Sequence, residues 1–175
     1  MAGGNVEALL QPLFAAVPAA PLTLISAEHT TLLRLDDTRF QIVAGPARGR
    51  EIRAALAAAA APASEAAWDL ANIRAGIPYI TPATQEEFVP QMANLDLIGG
   101  VSFTKGCYPG QEIVARMHYL GRLKQRMYLA NVAGTAVAQP GDKLYSPDAG
   151  DQAAGMIVNA APAPAGGTDV LAVVR

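Results

Sequence analysis

From Gly121 onward the sequence is cut every few residues by glycine, proline or aspartate, leaving the apolar runs "LKQRMYLANVAG", "GDKLYS", "AGMIVNAAPAP" and "TDVLAVVR". Short alternating runs bounded by turn residues read as strands, so residues 122–175 are expected to form a small antiparallel sheet or barrel. A chain of 175 residues has room for one ordinary domain, or for one domain with a small appended one. Hydrophobic residues make up 51% of it, but much of that is alanine, so the core is expected to be thin for its length.

The N-terminal part is mixed. "LTLIS" and "HTTLLRLDDTRFQIVAG" read as strands, the second broken at Asp36 and Asp37 into a hairpin. Pro46 then opens a helix through "ARGREIRAALAAAAA", which Pro62 ends. Trp68 sits at the beginning of another short helix that stops at Gly76 and Pro78. Thr84 with Glu87 three positions later has capping-box spacing and predicts a further short helix, with Pro90 near its start.

A formal net charge of −2 gives no global footprint for nucleic acid, and no apolar run is long enough to span a bilayer. The N-terminus lacks a basic region followed by an apolar segment, so the expected location is cytoplasmic. The single cysteine, Cys107, forms no internal disulfide, in keeping with a reducing compartment. One cysteine and two scattered histidines do not make a zinc site. An iron–sulfur cluster held by this chain alone is excluded on ligand count, although one thiolate can contribute to a cluster shared with another protein.

Cys107 lies in "FTKGCYPGQEIVAR". Gly106, Pro109 and Gly110 make residues 105–110 a tight non-helical turn, and the "QEIVARMHYL" that follows suits a helix or a strand. If it is a helix, the sulfur lies just ahead of the helix N-terminus, where unpaired N–H groups and Lys105 would favour the thiolate. The alternative is a small buried hydrophobe. His118 is a weak candidate base, since no third group is evident to orient it. Lys105, Arg116, Arg122, Lys124 and Arg126 are opposed only by Glu112 in this region. The strip is either a solvated face or a dock for an anion, and without interleaved aromatics a small anionic ligand suits it better than RNA.

The run "KGCYPGQE", Lys105 to Glu112, resembles the signature of the YgfZ-type folate-binding proteins, relatives of the glycine-cleavage T-protein. The resemblance continues through "FVPQMANLDLIGGVSFT", "RLDDTRFQIV" and "WDLANIRAGIPYI" to the closing "GMIVNAAPAPAGGTDVLAVVR". It implies an α+β chain with part of a T-protein-like fold. Residues 1–61 would be a ferredoxin-like part and 62–121 the end of the α/β folate-binding domain with the thiol motif. Residues 122–175 would be a C-terminal antiparallel β-barrel, complete or lacking its last edge, and the family's N-terminal portion would be lacking.

By the same resemblance, Trp68 would line a folate pocket and Cys107, with Lys105, would be the functional thiol. Gly106, Tyr108, Gly110, Gln111 and Glu112 would shape the loop, with Arg116, Arg122 and Lys124 as candidate anion contacts. The implied role is a tetrahydrofolate-binding factor that supports assembly or repair of iron–sulfur clusters in client enzymes, including tRNA-modifying ones. It would not be a conventional turnover enzyme. Its partners would be folate and cluster proteins or carriers, with no stable nucleic-acid binding, no membrane, and at most a transient shared cluster. An aminomethyltransferase of T-protein type, or an interaction module without ligand binding, are the alternatives.

Overall fold

The computed structural model describes residues 1–134 and 137–175 and shows an α+β chain with two antiparallel sheets. Its contacts divide the chain into two units, Met1–Trp68 and Asp69–Arg175. Among the described residues no helix is long and apolar enough to cross a membrane.

In the first unit, α1 (Val6–Leu10) precedes strands β1 (Thr23–Ala27), β2 (Thr30–Arg34) and β3 (Phe40–Ala44), paired in the order β1-β2-β3. Glu28 and His29, at φ +47° and +62°, make the two-residue turn between β1 and β2, matching the twist of the strands it joins. The expected break at Asp36 is a hairpin. Asp36 Oδ1 accepts the backbone N–H groups of Thr38 and Arg39, each at 2.8 Å, and its Oδ2 accepts Arg39 Nε at 2.6 Å. Burial opposes the Asp36 charge, but the bonds from Thr38 and Arg39 outweigh it and hold the carboxyl at about 2. One face of the sheet closes on Val6, Leu10, Leu32 and Phe40. Helix α2 (Pro46–Ala57) starts with proline at a position where its missing N–H costs nothing.

Helix α3 (Glu65–Arg74) runs across the division between the units. It stops as the sequence predicts: Gly76 takes φ +71°, its N–H reaches the Ile73 carbonyl, and the Ile77 N–H reaches that of Asn72. This paired arrangement satisfies carbonyls that a helix end would otherwise leave open. The capping box at Thr84 does not form. Residues 82–98 are a run of turns, interrupted by left-handed Glu86 and Asn94. Thr84 is buried and its hydroxyl bonds back to Thr81, accepting the Thr81 N–H at 3.0 Å.

The second unit continues with α4 (Gln111–Tyr119) and strands β4 (Arg126–Val132), β5 (Lys143–Tyr145), β6 (Ala153–Pro162) and β7 (Thr168–Val174). Their order is β4-β7-β6-β5, all antiparallel. Strands β4 and β5 are the two outer edges, so the expected barrel is instead an open sheet. The register shift at Leu144/Tyr145 and the three-residue length of β5 leave little edge with which to close it. Leu70 and Ile73 of α3 pack with Met127, Val158, Leu171 and Val173 on one face, while Ile157, Val170 and Ala172 form the core of the other. Gly155 is required where it lies, because a Cβ there would run into the Val173 carbonyl.

Candidate functional site

The sequence Tyr108-Pro109-Gly110-Gln111 places proline and glycine at the two central positions of a turn. Gly110 adopts φ +82°, ψ −1°, and the Gln111 N–H reaches the Tyr108 carbonyl at 3.2 Å, which is the pattern of a type II turn. Gln111 also works in reverse, since its Oε1 accepts the Tyr108 N–H at 3.2 Å. The helical alternative for "QEIVARMHY" is the one observed, as α4 begins directly after Gly110. Glu112, exposed in its first turn, is oriented favourably to the helix dipole.

Cys107 is a free, exposed thiol one residue before this turn. Gly106 beside it is exposed, and a Cβ there would meet nothing within 4 Å. Lys105 extends its ammonium over the Tyr108 ring, 4.7 Å from the centroid. Upstream, the Ser102 hydroxyl accepts the Lys105 N–H at 3.2 Å. Phe103 stacks on His118 of α4, with ring centroids 3.8 Å apart and planes 18° apart, while Tyr119 meets the His118 ring edge-on at 4.7 Å. The loop is therefore tied to α4 at both ends, with the thiol between the ties.

The basic strip separates into two parts. Arg126 forks onto Asp96, Nη1 to Oδ1 at 2.8 Å and Nη2 to Oδ2 at 2.9 Å. That bond holds the Asp96 carboxyl below its usual range and raises Arg126. Arg122 and Lys124, by contrast, line a cleft of about 580 Å³ with Arg175, and its apolar wall includes Met92, Met117 and Leu123. Among the described residues no Asp or Glu side chain lines it. Arg116 is exposed on α4, outside that lining. Trp68 is half-buried on α3 and belongs to the first unit. Among the described residues, no group of three or more His, Cys, Asp and Glu is placed to hold a metal ion.

No family model matches the chain. Curated proteins do, and those named tRNA-modifying protein YgfZ include one from Klebsiella pneumoniae, 36% identical over 146 residues, which covers 82% of this chain and 45% of the relative. A second, from Colwellia psychrerythraea, is 38% identical over 131 residues, 74% of this chain and 40% of its own length. A third, from an Enterobacter species, is 35% identical over 146 residues, with 82% and 45% covered. Over most of its own length the chain is similar to proteins named YgfZ. It spans under half the length of these YgfZ relatives.

Three residues of the site carry no signal in the sequence. Phe103 and Arg175 gave no local signal, because their roles come from stacking on α4 and from the return of β7 to the cleft. Gln91 is the third, buried and bonded to the Val114 carbonyl of α4 at 2.7 Å.

Proposed function

We propose that this chain takes the YgfZ-type role of supporting iron–sulfur enzymes, including tRNA-modifying ones, with Cys107 as its functional thiol and a tetrahydrofolate as its ligand. The observation that carries the reading is the presentation of Cys107: an exposed sulfur, flanked by an unobstructed Gly106, on a loop anchored at both ends. A thiol so placed is open to a second macromolecule. Because one thiolate cannot hold a cluster by itself, any cluster it touches is shared with a partner that supplies the other ligands. The curated relatives are named for tRNA modification, which supports placing such partners among tRNA-modifying enzymes.

The cleft beside α4 fits the second half of the proposal. Its cations Arg122, Lys124 and Arg175 and its methionine-rich wall suit a ligand with carboxylates at one end and an apolar body, the chemistry of a folate tail and aminobenzoyl group. Tetrahydrofolate would supply one-carbon or reducing chemistry when bound, while this chain's residues bind and orient it. Calorimetric titration with tetrahydrofolate tests this: saturable binding is expected, weakened about tenfold or more by R122E with K124E. Binding that ignores the double reversal would place folate elsewhere, and no binding at millimolar ligand would remove folate from the proposal.

A further inference from the structure

Gln91 is 3% exposed within the run of turns that precedes the thiol loop. Its Nε2 donates to the Val114 carbonyl at 2.7 Å, across 23 residues of sequence. Its own backbone carbonyl accepts from Arg126 Nη1 at 3.1 Å, and the same nitrogen reaches Asn94 Oδ1 at 3.2 Å. Asn94 Nδ2 in turn donates to the Met127 carbonyl at 2.8 Å. A continuous chain of hydrogen bonds thus runs from Asp96 and the start of β4 into the middle of α4, and at its last step it passes through the Gln91 side chain.

Apart from the Phe103 stack on His118 near its C-terminus, helix α4 has few other anchors. It is nine residues long and Val114 is its one buried residue, whereas helices this short are marginal without tertiary contacts. A single buried valine holds a helix near a surface but does not fix its rotation. A directional bond to the carbonyl of that same residue does. We infer that Gln91 is a positioning residue for the thiol loop: its carboxamide sets the rotation of α4, and with it the turn that presents Cys107.

The other end of the carboxamide sharpens the point. Gln91 Oε1 is buried with no hydrogen-bond partner among the described residues, which is unfavourable. A methionine would fill the same space without that penalty. What it would lack is the N–H donor.

Amide hydrogen exchange on the full chain tests the inference, with Gln91→Met removing the donor at nearly constant volume and Gln91→Glu facing Val114 with an acceptor. In Gln91→Met, protection of the α4 amides is expected to fall about tenfold while β6 and β7 keep theirs. In Gln91→Glu it is expected to fall at pH 8 and recover towards wild type at pH 5, because a buried carboxyl readily takes up a proton and regains an O–H donor. Unchanged α4 protection, equal loss in α4 and in β6 and β7, or no recovery on acidification would each overturn the inference. Should Gln91→Met fail to fold, Gln91→Glu at the two pH values carries the same comparison.

The cellular consequence rests on the thiol role proposed above: Gln91→Met is expected to impair tRNA modification as Cys107→Ser does. If Cys107→Ser is silent, that role fails and exchange alone decides the positioning. If Cys107→Ser is deleterious while Gln91→Met loosens α4 without effect, the positioning claim is wrong.

Discussion

Phe103 lies flat on the imidazole of His118, with centroids 3.8 Å apart, and so clips the thiol loop to the C-terminal half of the helix that follows it. An aromatic pair of this kind contributes about 0.5–1.5 kcal/mol beyond the area it buries. Phe103→Ala is therefore expected to expose residues 101–110 to limited proteolysis several-fold faster, while Phe103→Tyr keeps the wild-type rate. Equal rates for wild type and Phe103→Ala would show that the stack does not hold the loop.

The two glycines around Cys107 have different physical roles, and substitution separates them. Gly110 sits at φ +82°, so Gly110→Ala is expected to cost about 1 kcal/mol in a denaturant midpoint. Gly106 has open space where its Cβ would point, so Gly106→Ala is expected to leave stability within about 0.5 kcal/mol. Loss of cellular function in Gly106→Ala at unchanged stability would mark that open space as the approach path of a partner.

The ion pair between Asp96 and Arg126 ties the run of turns to β4 with two short, partly buried bonds. Asp96→Asn is expected to destabilise the chain by about 2 kcal/mol at pH 7. The hydrogen bond from Arg126 depresses the carboxyl, so the stabilisation is fully present above the unfolded value of 3.8 and is lost as pH falls through the lower folded value. The gap between wild type and Asp96→Asn in thermal melts should accordingly close below pH 3.8. A gap that persists at still lower pH would mean the pair is not its source.

Asp36 behaves alike in the first unit. Its carboxyl, held at about 2 against a normal 3.8, contributes above the latter value and loses its contribution as pH falls towards the former. Its side chain is 36% exposed, so after solvent screening Asp36→Asn is expected to cost about 1 kcal/mol at neutral pH and almost nothing near pH 2.

What the sequence revealed was local. Tyr108-Pro109-Gly110-Gln111 names its own turn because proline and glycine each admit few alternatives, and Asp36 and Gly76 mark a hairpin and a helix end for similar reasons. Thr84 misleads because a threonine hydroxyl bonds backward as readily as forward, and burial selects Thr81. The Gln91 bond to Val114, the Arg126 fork on Asp96 and the β4-β7-β6-β5 order join residues far apart in the chain. No propensity records such pairings. The barrel expectation failed on closure, which depends on what the outer edges of β4 and β5 meet rather than on the alternation within each strand.

The most direct test of the account is to express the chain and its Cys107→Ser variant in a bacterium whose own YgfZ gene is deleted, then quantify modified nucleosides in bulk tRNA by mass spectrometry. The account predicts that the wild-type chain restores modification and that Cys107→Ser, at equal abundance and stability, does not. Restoration by Cys107→Ser equal to wild type would contradict the claim that this loop exists to present its thiol.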